Sequence, residues 1–129
     1  MKAKGICIAL ALISASACGG GGSDQTTGPP AGNTPPPAGG ISVINNAFSP
    51  STKVVTVGTT VQWAWNTCTG GDGYGGPETC VAHSVNFADG ISSPVQDKGV
   101  FSRNFGIAGS YPYQCSQHGP AMSGTITVQ

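Results

Sequence analysis

The chain has 129 residues, of which 21 are glycine and ten are proline, room for one small domain and a stretch of unstructured sequence. Five basic side chains balance five acidic ones, with no basic run beyond Lys2 and Lys4, so nothing offers the charge that grips nucleic acid phosphates. Charged residues are too few for a coiled coil, and no apolar stretch of about 18 residues is present to cross a membrane as a helix.

Residues 1–17 carry Lys2 and Lys4, an apolar run from Gly5 to Ile13 and then Ser14-Ala-Ser-Ala17, the order of a secretory signal peptide. The cleavage region Ala15-Ser16-Ala17-Cys18 resembles a bacterial lipoprotein box, in which Cys18 becomes the lipidated N-terminus, although Ala15 stands where leucine is more usual. The alternative is ordinary cleavage that leaves Cys18 free. Either route predicts an exported protein, periplasmic or tethered to the outer membrane. From Gly19 to Gly40, 13 of 22 residues are glycine or proline and the apolar side chains are two alanines, a composition that cannot offset its own ordering entropy. Residues 18–40 are therefore expected to be lipidated Cys18 plus a disordered linker, spanning roughly 25 Å as a coil and up to about 70 Å if polyproline-like. Removal of the signal leaves Lys53, Lys98 and Arg103 against Asp24, Asp72, Glu78, Asp89 and Asp97, a mildly acidic mature chain.

Residues 41–129 form the expected domain. No helical apolar period persists there, whereas alternation of β-branched and aromatic residues recurs between turn signals, which predicts an all-β sandwich or barrel. Strands are expected at Ile41–Asn45, Lys53–Val57, Thr60–Asn66, His83–Phe87, Val100–Phe105, Tyr111–Cys115 and Gly124–Gln129, separated by breaks such as Ser49-Pro50, Val57-Gly58 and Ala108-Gly109. A period of two places Val61, Trp63 and Trp65 on one face and aligns Tyr111, Tyr113 and Cys115. Those faces should build the core.

Cys68 and Cys80 bracket a Gly-rich loop, and in an oxidising compartment such a pair reads as a disulfide. The rival reading takes Cys80 and His83 as half of a zinc site, but zinc would need two further ligands. The loop lacks the Lys and the following helix of a phosphate cradle.

The chain has two histidines, His83 and His118, and two methionines, of which Met1 leaves with the signal. Cys115, His118 and Met122 lie on one short segment between two expected strands, which brings a thiolate, an imidazole and a thioether to one place. His83 is the remaining imidazole. Two His, one Cys and a weak axial Met suit copper, whereas zinc rarely takes a thioether and calcium or magnesium wants oxygen. Each residue alone is more commonly buried filler or a satisfied side chain; their conjunction points to a metal site.

The stretches Ala47-Phe-Ser-Pro50, Val57-Gly-Thr-Thr-Val-Gln-Trp63, His83-Ser-Val85, Gly109-Ser-Tyr-Pro-Tyr-Gln-Cys115, His118 and Met122-Ser-Gly-Thr-Ile-Thr-Val128 resemble the plastocyanin and amicyanin branch of the cupredoxins, the small blue copper proteins. The resemblance implies a Greek-key β-sandwich of about seven to eight strands with one type 1 copper ion at one end, held by His83, Cys115, His118 and Met122. It also implies an electron port formed by His118 with Gly119, Pro120 and Ala121. Tyr111 stands where related sandwiches carry a tyrosine corner. Two departures are visible. Three residues separate His118 from Met122, where plastocyanins typically have four and amicyanins two, and Ser84 stands where the family often has Asn beside the first ligand, leaving Ser84 as a candidate support for the ligand loop.

These features imply a monomeric carrier of single electrons between transient redox protein partners rather than an enzyme. A copper enzyme would need further histidines, and copper storage would need Met- or His-rich tracts. The competing possibility is a metal-free or copper-binding sandwich that acts as an interaction module.

Overall fold

The computed structural model describes residues 33–71 and 75–129. The expected signal peptide, Cys18 and the linker up to residue 32 lie outside the described residues. Ten strands are present: β1 (Ile41–Ile44), β2 (Ala47–Ser49), β3 (Thr52–Val55), β4 (Thr59–Asn66), β5 (Cys68–Gly70), β6 (Glu78–Cys80), β7 (Asn86–Phe87), β8 (Val100–Phe105), β9 (Gly109–Cys115) and β10 (Gly119–Val128). One sheet has the order β2-β1-β4-β8 and the other β3-β10-β9-β7, with β5 and β6 forming a separate hairpin. The pairs β1–β4 and β3–β10 are parallel, so each sheet joins distant parts of the chain rather than a run of hairpins. No helix lies among the described residues, in agreement with the all-β expectation.

Alternation explains what fills the space between the sheets. On β4, Val61, Trp63 and Trp65 point inward and are buried; Tyr113 and Cys115 do the same on β9, and Met122, Ile126 and Val128 on β10. Edge-to-face contacts of the Trp63 ring with Phe87 (centroids 5.7 Å apart) and Tyr113 (5.4 Å) lock the centre. Gly124 lies between Met122 and Ile126 on that inward face and pairs with Tyr113. Burial raises the Tyr113 phenol to about 12, so it stays neutral. Tyr111 donates its hydroxyl to the Ile107 carbonyl at 2.8 Å, the bond of a tyrosine corner.

Three strands are additional to those expected. β2 is only three residues long, and β5 and β6 are hidden in sequence by the Gly-rich loop they flank. The expected strand His83–Phe87 is reduced to β7. Before it, the loop after β7 takes the backbone bonds: His83 and Gln96 exchange N–H···O bonds of 2.9 and 3.0 Å, and Val85 N–H donates to Ser93 Oγ at 2.9 Å. β10 starts at Gly119 rather than Gly124, because an irregularity between Gly119 and Ser123 lets it pair with Cys115 as well.

Residues before Ile41 are also held to the sandwich. Asn33 closes a two-way bond with Cys68, accepting from its N–H at 2.9 Å and donating to its carbonyl at 3.2 Å. Thr34 N–H donates to Trp65 O at 2.8 Å. Residues 33–40, expected as the end of a disordered linker, are thus held as a strap at the end of β4, because Asn33 and Thr34 satisfy backbone groups of Trp65 and Cys68 that lie past the β4–β8 pairing, which stops at Ala64.

Cys68 and Cys80 face each other across the β5–β6 hairpin and are disulfide-bonded, as expected from sequence. Replacing both by alanine is expected to cost about 3 kcal/mol in the chain-entropy account of a loop this short, read as a fall in the thermal midpoint.

Arg103 on β8 is buried against aromatic rings, its guanidinium carbon 4.1 Å from the Phe87 centroid and 4.9 Å from that of Phe105. Both terminal nitrogens bond the Asp89 carboxylate, clasping the second sheet to the first. Hydrogen bonding from Arg103 holds the Asp89 carboxyl below its ordinary value. A depressed folded value means the clasp stabilises above the unfolded carboxylate range, near pH 4, and is lost as pH falls through the lower folded value. The thermal midpoints of wild type and Asp89→Asn should therefore differ at pH 7 and converge in acid.

Candidate metal centre

Cys115 ends β9, His118 follows in the turn to β10, and Met122 lies on the inward face of β10 just past its irregular start. His83 approaches from the segment before β7. It is fully buried, and its carbonyl accepts the Trp65 indole N–H at 3.1 Å, so the core tryptophan of β4 fixes the backbone of the first candidate ligand.

The three candidate donors meet. The ligand atoms of His83, Cys115 and His118 all lie within 4.8 Å of one another, and His83 Nδ1 is 3.7 Å from Cys115 Sγ. The two imidazole centroids are 4.9 Å apart with the rings tilted by 41°. Bonds of about 2.0–2.3 Å to one first-row ion put donor pairs roughly 3–4 Å apart, so this cluster is close to the size one ion requires. His83 Nε2 and His118 Nδ1 are buried without a hydrogen-bond partner, a costly condition for a ring nitrogen. Burial, and after it the neighbouring His118, push the His83 imidazole below its ordinary value. It is thereby held neutral, the form that binds a metal. Met122 is 1% exposed and Cys115 fully buried, so water is kept from the thiol side, while His118 reaches partly into solvent.

Ser84 is the hub that holds the two ligand segments together. Its hydroxyl donates to Asn86 Oδ1 at 2.5 Å, and it accepts the Ser116 N–H at 3.0 Å and pairs with the Ser116 hydroxyl at 2.8 Å. The Ser84 N–H donates to Cys115 Sγ at 3.5 Å. The serine therefore ties the His83 segment to the residue after Cys115, the support for which the sequence made Ser84 a candidate. Loss of such outer support commonly costs 10–100-fold in metal affinity. Ser84→Ala is expected to weaken metal binding at this candidate site by about tenfold, measured by titration against a chelator. Ser116, Asn86 and Trp65 belong to this support, and none was singled out by sequence for that role. Trp65 was legible as a core residue, but its bond to a carbonyl 18 positions away carries no sequence signal.

The second cluster, Cys68 with Glu78 and Cys80, is not available as a zinc site because both thiols are consumed in the disulfide. The His83–Cys80 zinc reading likewise lacks a free thiolate.

No protein-family model matches the chain, and no curated protein matches it in sequence. Solved structures do. A reduced amicyanin variant superposes with a TM-score of 0.55 at 24% identity, over 70% of this chain and 80% of that one. A purple cupredoxin from Nitrosopumilus maritimus gives 0.54 at 25% identity, over 70% of this chain and 98% of that one. A Cu-containing nitrite reductase from Thermus scotoductus SA-01 gives 0.56 at 23% identity, but the match spans only 22% of that enzyme. Two packed sheets, their crossed strand order and these superpositions agree: the chain has the cupredoxin fold.

Proposed function

We propose that this protein is an exported blue copper protein that carries single electrons between redox proteins. The observation that carries this reading is the convergence of His83 Nδ1, Cys115 Sγ and His118, with His118 Nδ1 buried and without a hydrogen-bond partner and a buried thioether from Met122. That donor set fits copper better than zinc or a hard cation. Copper held there would supply a one-electron couple between Cu(I) and Cu(II) with little change of geometry.

The chain's own residues do the rest. Ser84 and Trp65 hold both ligand segments, so the site is fixed before a metal arrives. Buried Val85, Phe87 and Tyr113 wall off its interior side, and His118 is the ligand that meets solvent, which makes it the exit for an electron. Partners would be transient redox proteins, as small weak interfaces suit such encounters, and the carrier would act as a monomer. By the signal and lipobox pattern, it would work in the periplasm or on an outer-membrane tether.

The test is copper(II) titration of the purified mature protein with visible absorption and electron paramagnetic resonance, followed by voltammetry. An intense thiolate-to-copper band at one copper per chain, with a reversible one-electron wave, is expected. A folded protein that takes copper without the band, or takes none, overturns the reading and leaves a sandwich that acts as a binding module.

A further inference from the structure

We propose that the chain is tethered at the same end of the sandwich as its metal centre, so that the site faces the anchoring membrane and its partner is a redox protein held in that membrane. This rests on the copper reading above and on a lipid anchor at Cys18.

The two ends of the sandwich can be told apart from its bonds. Cys115 pairs with Gly119 at one end of β9–β10, and Gly109 pairs with Val128 at the other. At the far end, Val57 N–H donates to Gln129 O and Gly58 N–H to Phe105 O, which places the starts of β4 and β9 and the C-terminus together. The end of β4 is therefore on the metal side, as the bond from Trp65 to His83 O requires.

The strap enters on that side. Trp65 accepts from Thr34 at its carbonyl and donates to His83 through its indole, so one residue touches both the incoming chain and the first ligand. Asn33 is bonded one step further out, at Cys68 beyond the end of β4. From there the strap runs down the sheet to the turn closed by Gly40 N–H on Pro37 O at 2.8 Å, and β1 returns alongside β4. Whatever precedes Asn33 must leave from the metal end. Asn33 lies fifteen positions after Cys18, a reach of at most about 50 Å. Had the strap been absent, the tether would spring from Ile41, in the middle of the sheet.

A second observation points the same way. Residues 116–121, which surround the exit at His118, contain no Asp, Glu, Lys or Arg, and Pro120 and Ala121 are exposed. Such a surface does not steer a partner by charge. Attachment beside it compensates by raising the local concentration of partners confined to the same membrane.

The test uses the full lipidated, copper-loaded chain in vesicles of phosphatidylethanolamine and phosphatidylglycerol doped with a gadolinium-chelate headgroup lipid. Nitroxides are placed singly at Lys98→Cys, exposed near the metal end, and at Ala108→Cys, exposed at the far end. Gadolinium should relax the Lys98→Cys label several-fold more than the Ala108→Cys label. The gradient should shrink when Asn33→Ala and Thr34→Pro together release the strap, while the blue band is unchanged. Equal relaxation at both positions, or the reverse order, overturns the proposal. Relaxation at neither shows that no anchor is present and overturns it through that premise. A gradient without a blue band upholds the attachment geometry and overturns the redox partner, failing the copper reading alone.

Discussion

Cys115→Ser should abolish the intense visible band and the one-electron wave while leaving a folded sandwich. The thiolate is the one donor whose charge transfer to copper gives such a band, and among the described residues Cys115 is the free cysteine. A hydroxyl is close in size and keeps an acceptor for the Ser84 N–H that now meets Sγ, so the expected stability cost is about 1–2 kcal/mol. Met122→Leu is the informative companion: it removes only the weak axial donor and conserves volume. That variant should retain a blue band with altered intensity and a shifted potential. Absorption and voltammetry of the two variants side by side check the ranking. A band that survives in Cys115→Ser would place the copper elsewhere.

Gly124→Ala should be among the most destabilising single substitutions available. A Cβ at this position would stand 2.5 Å from Tyr113 Oη, from Tyr113 Cζ and from the Ser51 carbonyl oxygen. The ring is pinned by Phe48, with centroids 4.8 Å apart, and by Trp63. The carbonyl already accepts from Thr125 N–H at 2.8 Å, so neither side can yield freely. Overpacking of a fitted core costs about 3 kcal/mol at its upper ordinary range, which for a domain of this size lowers the thermal midpoint by roughly 12–24 °C. Adding Tyr113→Leu should restore only part of this, because the clash with backbone remains. Thermal unfolding of the single and double variants measures both effects.

The metal centre was legible in sequence because its donors are scarce. With two histidines and, apart from Met1, one methionine, the chemistry of the set limits the choices before any geometry is known. The core face of β4 was legible for a different reason, the period of two through Val61, Trp63 and Trp65. What escaped was structure whose cause is not local. The His83 segment looks like a strand, yet its backbone partners come from Ser93 and Gln96 in an irregular loop. The β5–β6 strands are masked by glycines, and their pairing is imposed across the disulfide. Asn33 and Thr34 sit in a Gly/Pro-rich tract, and only the backbone groups of Trp65 and Cys68, past the end of the β4–β8 pairing, give them something to bond. Ser84 was visible as a candidate, but its reach to Ser116 is a contact across 32 positions.

The parallel pairing of β3 with β10 also sets an order of assembly. Thr52 is matched to Thr125 and Val55 to Val128, so a sheet begun early in the chain cannot close until nearly the last residue is available. Closing so long a loop is slow and entropically unfavourable compared with a local hairpin. Cys68 and Cys80 are separated by only 12 positions and can meet long before that. The two hairpin thiols can thus pair with each other while Cys115 still awaits its final strand, which keeps the Cys115 thiol out of the wrong disulfide.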